Sequence, residues 1–430
     1  MGFERRLEMK VLWVVNIPLP EASILMNEKI LPVGGWLVSS SKDLSMQKDI
    51  ELSVAFPKKG IKDFIELKGE KISYYAFRPV KFSDIEFNKN NSIFEDIINK
   101  IQPDIVHIHG TEFPHAFSMV NVCNKKKIKV VISIQGLVSV IEKHMYANLP
   151  FKVVYGATIR NLLRKDNVVG LRRSFIKRGK YEIEAIKNVK YIIGRTTFDK
   201  AYTLQINPNS KYYFCNETLR DEFYKHQWNI NNCERYSIFL SQGNYPIKGL
   251  HYVLEAMPII LKRFPKAKLY VGGNDITKSD TLKDRLLMTY YGKYIKKLIS
   301  NLNLKDKVIF TGPLDEKEMC ERYLKSHVFV CPSSIENSPN SLGEAMILGV
   351  PSVASYVGGI PDMLEHSKEG FLYQSDAPYM LAHYMCEIFE NDDLALRLSE
   401  NARQRALKIY NRDENLKQLL EIYYNILRTN

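Results

Sequence analysis

Short, uninterrupted apolar runs alternate along the chain with longer segments whose apolar residues recur every three to four positions. Uninterrupted runs are typical of buried parallel strands, whereas the longer period indicates helices that bury one face. The first half predicts five strands, KVLWVVNI, IELSVAF, DIVHIHG, KVVISIQG and YIIGRT. The pattern then begins again with YSIFLSQG, AKLYVGG, KVIFTG, HVFVCPS and PSVASYV, separated by helical stretches such as 248–264 and 283–302. Two such blocks predict an α/β protein with two doubly wound domains.

The domain boundaries follow from this repetition and from the length of 430 residues, which exceeds one typical core. We assign a first Rossmann-like domain to 1–215, an interdomain linker to 216–235 and a second Rossmann-like domain to 236–410. The last segment is helical with no strand after it, and we treat 411–430 as a separate C-terminal helix.

Composition is that of an ordinary folded protein, with 45% hydrophobic and 25% charged residues. No apolar run approaches the roughly 20 residues of a membrane-spanning helix, and the opening MGFERRLEMK is too polar for a signal peptide. The six cysteines are scattered with no CxxC pair, which argues against disulfides and structural zinc. We therefore expect a cytoplasmic protein.

A net charge of +13 is the unusual bulk property, and much of it lies in RNLLRKDNVVGLRRSFIKRGK, residues 160–180. One interpretation is a solvated helical face. Another is peripheral contact with an anionic membrane or an anionic acceptor, because apolar residues interleave with the cations. Nucleic acid is disfavoured because no helix-turn-helix, zinc-finger or RNP-type motif is present.

In doubly wound sheets, ligands bind at the carboxyl ends of the strands, where loops lead into helices. Gly34 and Gly35 follow the first strand, and paired glycines let backbone amides approach an anion. Gly243 and Lys248 follow the first strand of the second block, where a lysine could neutralise a phosphate. The alternatives are a plain turn at the glycines and a lone surface lysine at Lys248, which is the commoner outcome for such a residue.

The stretch SSIENSPNSLGEAMILGVPSVAS, residues 333–355, places charged and polar groups beside a nearly all-apolar helix. We expect Ser338 to cap this helix, Pro339 to be its first residue and Gly349 to end it. The backbone amides at its start would then face a bound phosphate; they belong to Asn340, Ser341 and Leu342.

Two glutamates flank that helix start. Glu344 lies inside the helix, and a buried carboxylate must find hydrogen-bond donors, for which ribose hydroxyls are suitable. Glu336 lies in the preceding loop. The alternatives are a helix cap or salt bridge for Glu344 and a solvent-facing carboxylate for Glu336.

The spacing Glu336-x7-Glu344, within FVCPSSIENSPNSLGEAMILGVPSVASYVGGIPDMLEHSKEGFL, resembles the retaining nucleotide-sugar glycosyltransferases of family four. The resemblance extends over nearly the whole chain through GG at 34–35, PDIVHIHG at 103–110, KGL at 248–250 and FTGPL at 310–314. It implies a GT-B fold, in which two Rossmann-like domains face each other across a cleft and the C-terminal helix crosses back to the first domain.

The resemblance also implies a role for each matching residue. Glu336 would contact the transferred sugar near its reacting carbon, Lys248 would neutralise the diphosphate, and Glu344 would bind the ribose. His109 would touch the donor sugar and Leu314 would help to hold the base. Gly35 and the amides of Asn340, Ser341 and Leu342 would hold the phosphates. We count Gly34, Gly243 and Asn244 as further substrate-binding candidates from their loops.

One position departs from the family pattern. Asn244 stands where an arginine usually follows the glycine of the first loop, so diphosphate binding would rely more on Lys248. Arg195 is a candidate for compensation, although a solvent-facing or capping arginine is an equal alternative. The sequence has no Asp-x-Asp motif or ligand cluster, so we expect no metal and no cofactor besides the nucleotide-sugar substrate.

Together these features predict a retaining hexosyltransferase that moves a sugar from a nucleoside-diphosphate sugar to a hydroxyl of a glycan or lipid-linked saccharide. A UDP-sugar is the family default and a GDP-sugar the main rival. The expected role is assembly of a cell-surface polysaccharide, such as lipopolysaccharide or capsule, at the inner face of the cell membrane. The alternatives are a sugar-nucleotide epimerase and a catalytically impaired nucleotide-binding scaffold.

Overall fold

The computed structural model describes residues 8–30, 34–82 and 91–429. These residues form two compact units. Unit 1 comprises Met1–Ser139, Lys177–Arg220 and Tyr410–Asn430, and unit 2 comprises Val140–Ile176 and Asp221–Ile409. The sequence predicts one continuous first domain over 1–215, whereas the structure groups Val140–Ile176 with unit 2.

Hydrogen bonds explain why this stretch belongs to unit 2. The carbonyl oxygen of Ala147 accepts hydrogen bonds from His251 Nε2 and from the Tyr252 hydroxyl, each at 2.9 Å. The Thr158 hydroxyl donates to the carbonyl oxygen of Met288 at 3.0 Å. These partners lie more than a hundred residues away in sequence, so the grouping depends on tertiary contacts.

Unit 1 is built on an eight-stranded sheet with the order β3-β4-β2-β1-β5-β6-β7-β8. Its strands are β1 (Met9–Val14), β2 (Ile50–Pro57), β3 (Phe64–Lys68), β4 (Ser73–Phe77), β5 (Ile105–His109), β6 (Lys129–Ser133), β7 (Tyr191–Gly194) and β8 (Lys211–Phe214). Adjacent strands are parallel except β3, which pairs antiparallel with β4 at the sheet edge. The helices from its first stretch are α1 (Pro20–Leu25), α2 (Gly35–Ser45), α3 (Asn91–Ile101), α4 (Pro114–Lys126) and α5 (Val138–His144), the last of which continues into unit 2.

Among the described residues, unit 1 also contains the end of α8 (Val168–Lys187), α9 (Thr197–Ile206) and α19 (Arg412–Arg428). Helix α19 is fixed to the sheet by its buried Tyr423, whose hydroxyl accepts a hydrogen bond from Trp13 Nε1 at 3.0 Å. The same hydroxyl lies 2.5 Å from His107 Nδ1. The Arg412 guanidinium pairs with Asp43 of α2 at 2.9 Å. The carboxyl-terminal helix therefore packs in the core of unit 1.

Unit 2 contains a six-stranded parallel sheet with the order β11-β10-β9-β12-β13-β14. Its strands are β9 (Glu234–Leu240), β10 (Lys268–Val271), β11 (Val308–Phe310), β12 (Ser326–Cys331), β13 (Ser352–Ser355) and β14 (Phe371–Tyr373). Its helices include α6 (Phe151–Val154), α7 (Ile159–Arg164), α10 (Asp221–Tyr224), α11 (Leu250–Arg263), α12 (Leu282–Leu287), α13 (Tyr290–Asn301), α14 (Glu316–Leu324), α15 (Asn340–Leu348), α16 (Ile360–Met363), α17 (Pro378–Glu390) and α18 (Asp392–Ile409).

All ten predicted strands are present, which confirms the two-block α/β prediction. The apolar-run criterion missed the edge strands β3, β8 and β14 and the adjacent β4; β3 and β8 contain no fully buried residue. The helix predicted at 283–302 is two helices. Met288 is extended, and the side chain of Thr289 accepts a hydrogen bond from the Gly292 amide to start a new helix.

Within the described residues, no helix combines the length and the apolar character that crossing a membrane would require.

The buried histidine His327 makes the stability of unit 2 sensitive to acid. Burial first, and then the charge of Arg235, lowers its pKa from 6.5 to about 4. The unfolded chain binds this proton at a higher pH than the native chain, so the free energy of unfolding rises with pH across this window. We expect His327→Asn to reduce this rise by up to about 1.4 kcal/mol per pH unit between about pH 4 and 6.5. Urea titrations across this range test it, with His226→Asn as an exposed control; an unchanged slope would contradict the assignment.

Candidate active site

Lys248 and Glu336 form an ion pair at the carboxyl end of the sheet in unit 2. Lys248 ends the 3₁₀ turn Pro246–Lys248, which follows β9, and Glu336 lies in the loop after β12. The Lys248 Nζ atom is 2.5 Å from Glu336 Oε1, and this oxygen also accepts a hydrogen bond from the Ser333 hydroxyl at 2.8 Å. Only 20% and 15% of the two side chains are exposed, so both charges are largely withdrawn from water.

Electrostatics keep the Lys248 side chain charged. Burial of Lys248 disfavours its ammonium form, but the adjacent Glu336 carboxylate more than offsets this and raises the pKa of Lys248 above its usual value. A positive charge is therefore fixed at neutral pH at the end of β9. A fixed ammonium in a poorly hydrated position stabilises an anion more effectively than one in bulk water.

Backbone contacts lock the Lys248 turn onto the Glu336 loop. The Ser334 amide donates to the carbonyl oxygen of Ile247 at 2.8 Å. Gly249 has a φ of +72°, and a Cβ there would lie 2.0 Å from the carbonyl oxygen of Pro332. Both the backbone conformation and the close approach require glycine, so the KG sequence at 248–249 reflects packing as well as charge.

A second glycine pair fixes the backbone of Glu336. The Gly359 amide donates to the carbonyl oxygen of Glu336 at 3.1 Å. Gly358 has a φ of +52°, and a Cβ there would lie 1.8 Å from the same oxygen. The two glycines are visible in the sequence YVGGIPD, but their role depends on contact with the Glu336 loop, which is distant in sequence.

Helix α15 begins one residue later than the sequence predicts. The expected cap, Ser338, makes no capping hydrogen bond, and its hydroxyl lies 3.7 Å from Met363 Sδ. The N-cap is Pro339, with extended backbone angles. The first residue with helical backbone angles is therefore Asn340, because the ψ of Pro339 is 117°. The predicted end is confirmed: Gly349 closes α15 in the left-handed conformation.

The three amides predicted to face a phosphate are not equivalent. The Leu342 amide donates to the carbonyl oxygen of Pro339 at 3.0 Å and is used within the helix. Asn340 and Ser341 are the first two residues of α15, where helical amides have no partner within the helix. The buried Oδ1 atom of Asn340 has no hydrogen-bond partner among the described residues. Asn340 and Ser341 therefore remain as candidate anion-binding residues.

Glu344 lies in the buried part of α15, where every residue from Leu342 to Leu348 is buried. Only 7% of Glu344 is exposed. Its position in the second turn of the helix is the one that the sequence predicts, a carboxylate within an apolar segment.

Three further predicted residues lie in loops at the same edge of the sheet. Gly243 is buried after β9, and a Cβ there would lie 2.8 Å from Val271 Cγ1. Asn244 is exposed in the same loop, and Leu314 is half-buried between β11 and α14. Nine of the twelve predicted site residues thus lie in unit 2.

Gly34, Gly35 and His109 lie in unit 1. Gly34, with a φ of +71°, is the N-cap of α2, and a Cβ on Gly35 would lie 2.3 Å from Cγ of Arg220. His109 ends β5 and is 5% exposed, with neither ring nitrogen paired among the described residues. Burial and the neighbouring His107 and Arg195 lower its pKa, so the imidazole is neutral and offers one donor and one acceptor.

Arg195 forms an internal ion pair with Glu217 in unit 1, and their side chains are 6% and 11% exposed. Burial raises the pKa of Glu217, and the Arg195 guanidinium opposes that rise. Sequence reasoning named Arg195 but missed Glu217, because the pair joins residues on separate loops. Within the described residues no group of three or more metal-binding side chains is assembled.

Residues 220–405 match the family model Glycosyl transferases group 1. It is 29% identical over 134 residues to N-acetyl-alpha-D-glucosaminyl L-malate synthase of Bacillus anthracis, covering 31% of this chain and 35% of that relative. It is 27% identical over 183 residues to D-inositol 3-phosphate glycosyltransferase of Corynebacterium urealyticum, covering 42% of this chain and 41% of that relative. The matches thus span less than half of these relatives.

Solved structures extend the likeness in fold to nearly the whole chain. Sucrose-phosphate synthase from Thermosynechococcus elongatus superposes with a TM-score of 0.69 at 16% identity and covers 98% of this chain and 100% of that one. Anabaena HepE in complex with UDP gives a TM-score of 0.66 at 13% identity, covering 97% and 100%. These neighbours are GT-B glycosyltransferases, which confirms the predicted fold class of two Rossmann-like domains.

Proposed function

We propose that the protein transfers a sugar from a nucleoside-diphosphate sugar to a hydroxyl group of a glycan, with retention of anomeric configuration. The observation that carries this proposal is the largely buried Lys248–Glu336 pair, whose carboxylate lies in the loop that leads into α15. The pair places a fixed cation 2.5 Å from a carboxylate, and the helix-terminal amides of Asn340 and Ser341 follow this carboxylate in the chain. The group 1 domain at 220–405 supports the same chemistry.

The chemistry requires opposite charges at two neighbouring places. As the bond between the anomeric carbon and the phosphate oxygen breaks, negative charge grows on the diphosphate and positive charge on the sugar ring. Lys248 and the amides of Asn340 and Ser341 would stabilise the first, and Glu336 the second. The acceptor oxygen then bonds to the anomeric carbon, and its proton passes to the departing diphosphate.

The proposed donor is a UDP-sugar. Anabaena HepE, which shares the fold, is described in complex with UDP-glucose, and this supports a uridine carrier here. Asn244 supplies a hydrogen-bond donor where related enzymes have an arginine, so Lys248 is the principal cation for the diphosphate in unit 2. We propose that this cation and the helix amides serve without a metal ion or another cofactor.

The proposed acceptor is a glycan or lipid-linked saccharide in cell-surface polysaccharide assembly, such as lipopolysaccharide or capsule, at the cytoplasmic face of the membrane. The net charge of +13 supports an anionic surface or substrate nearby. An epimerase would consume donor without any acceptor, and an impaired scaffold would bind nucleotide without turning over donor. Donor consumption measured with and without acceptor glycans separates these three functions.

Glu344→Ala is expected to weaken binding of the matching nucleoside diphosphate by about 10- to 100-fold, because a charged hydrogen bond to the ribose is lost. In thermal melts, ligand at 100 times the wild-type dissociation constant should stabilise the wild type by about 2.7 kcal/mol and a 100-fold weaker variant by only about 0.4 kcal/mol. A panel of nucleoside diphosphates, with and without magnesium, identifies the base and tests metal independence.

Glu321→Ala, at an exposed position of α14, is the matched control and should melt and bind like the wild type. If the nucleotide raised the melting temperature of Glu344→Ala as much as that of the wild type, the proposed contact between Glu344 and the ribose would be excluded. No shift with any nucleotide would overturn the transferase proposal and favour the impaired scaffold.

A further inference from the structure

Unit 2 has an unusual concentration of exposed apolar side chains. Eight of the 21 large hydrophobic residues that are exposed within the described part of the chain lie in two short stretches, 151–163 and 282–287. The exposed fraction reaches 80% at Leu163 and 77% at Leu282. Isolated exposed apolar residues are ordinary, whereas a cluster indicates an interaction site. The eight are Phe151, Tyr155, Ile159, Leu162, Leu163, Leu282, Leu286 and Leu287.

Hydrogen bonds join the two stretches into one surface. The Thr158 hydroxyl, at the start of α7, donates to the carbonyl oxygen of Met288, just after α12. The Tyr290 amide donates to Oδ1 of Asn161 at 2.9 Å. Helices α7 and α12 are thus held side by side although about 120 residues separate them in sequence. We call the surface formed by 151–165 and 282–287 the α7–α12 surface.

The charge of the α7–α12 surface is strongly one-sided. It contains six basic residues, Lys152, Arg160, Arg164, Lys165, Lys283 and Arg285, against one acidic residue, Asp284. Arg160 pairs with Asp166, while the other five cations are exposed. The single acid, Asp284, accepts the Thr281 amide in a capping box and so serves the start of α12. The surface therefore presents exposed leucines surrounded by exposed positive charge.

We propose that the α7–α12 surface docks unit 2 on an anionic lipid bilayer. Side chains that protrude with 60–80% of their area exposed suit shallow insertion between lipid headgroups, and the surrounding cations suit contact with lipid phosphates. The excess of cations favours an anionic bilayer over a second copy of this basic chain, which would bring like charges together. The inference deepens the proposed function, since it places the enzyme where a lipid-linked acceptor resides.

The docking surface keeps only the first part, 160–165, of the basic stretch 160–180 that the sequence singles out. Within 160–180, Arg172 donates to the Glu142 carboxylate at 2.9 Å and lies 5.0 Å from the ring of Tyr146. Arg178 belongs to unit 1 and lies 5.3 Å from the ring of Phe113. Two of the predicted cations thus contact protein. The sequence pattern gave no sign that 282–287 belongs to the same surface as 159–164.

The test is flotation of the whole protein with phosphatidylcholine vesicles that either contain or lack phosphatidylglycerol. Wild type should float only with the anionic vesicles and detach as salt rises. Leu282→Ser combined with Leu286→Ser should weaken vesicle binding by about 100-fold, since two inserted side chains are lost. Lys283→Gln combined with Arg285→Gln should weaken it by about fivefold for each charge removed and flatten the salt dependence.

Leu396→Ser combined with Leu407→Ser, at exposed positions of α18, is the matched apolar control and should float like the wild type. Melting temperature and nucleotide-induced stabilisation should be unchanged in all three variants, because the surface lies apart from the Lys248–Glu336 pair in sequence and contacts. Wild type that fails to float, or α12 variants that float normally, would overturn the proposal. A wild-type dimer that the α12 variants lose would also overturn it and identify a second copy as the partner.

Failure here is separable from failure of the proposed function. A protein that binds nucleotide and transfers sugar to a water-soluble acceptor, but ignores vesicles, would keep its activity and lose only the docking surface. A protein that binds vesicles by the α7–α12 surface but binds no nucleotide would keep the docking proposal and lose the proposed transferase function.

Discussion

Lys248→Ala is expected to lower the rate of sugar transfer by about 100- to 1,000-fold, the usual effect of removing one positioned group that stabilises developing charge. Lys248 is the cation fixed by Glu336 at the end of β9, and its neighbour Asn244 brings no charge. The loss should appear mainly in kcat, because the negative charge on the diphosphate grows as the glycosidic bond breaks. Steady-state kinetics with the donor identified by the melting panel measure this effect.

Two further variants separate chemistry from folding. Lys248→Ala leaves the largely buried Glu336 carboxylate without its cation, so unfolding in urea has to be measured alongside the kinetics. Lys248→Arg keeps the charge and should retain part of the rate, while Lys266→Ala, at an exposed position of the same unit, should behave like the wild type. A folded Lys248→Ala protein with full activity would contradict the proposed role.

Gly249→Ala is expected to destabilise unit 2 by roughly 3–5 kcal/mol, the range typical of severe backbone strain and overpacking. A left-handed backbone alone costs a non-glycine residue about 1–2 kcal/mol. Here a Cβ would also lie 2.0 Å from the carbonyl oxygen of Pro332, and neither backbone segment can move without separating Ser334 from Ile247. The same displacement would pull Lys248 away from Glu336, so transfer activity should fall with stability.

Gly312→Ala provides the matched control for this prediction. Gly312 has a similar φ of +78°, but a Cβ there would meet nothing within 4 Å. Its cost should therefore be the conformational one alone, about 1–2 kcal/mol. Urea unfolding of both variants separates the two terms. Equal destabilisation of the two proteins would show that the contact between Gly249 and Pro332 is not what holds the turn.

Local signals were sufficient for much of the fold. The strands β5 and β12 are buried at every position and most of their residues are apolar, and this composition can be recognised within a short segment. The edge strand β3 was missed because three of its five residues are exposed and none is fully buried. The break at Met288 was missed because apolar periodicity continues across it, and only the Thr289 cap marks the new helix.

The candidate site likewise has features that local sequence predicts and features that arise only from contacts between distant loops. Glu344 could be singled out because a carboxylate in an apolar helix conflicts with its surroundings, and that conflict is visible within a few residues. Residue type favours Ser338 as the cap, but the extended backbone of Pro339 places the helix start one residue later, and residue type alone does not specify that backbone angle. The pairing of Arg195 with Glu217, and the support of Glu336 by Gly358 and Gly359, arise between loops that no local pattern connects.

The sequence by itself determined the two α/β blocks, the loops that carry the chemistry and the residue types available there, because these depend on the period and composition of short segments. Only the tertiary structure decided that Val140–Ile176 belongs to unit 2, that Lys248 is held by Glu336, and that α7 and α12 share one basic, apolar surface. Each of these depends on contacts between residues about 90 to 130 positions apart. Such contacts form only when the whole chain packs, so the order of apolar and polar residues within a short segment does not predict them.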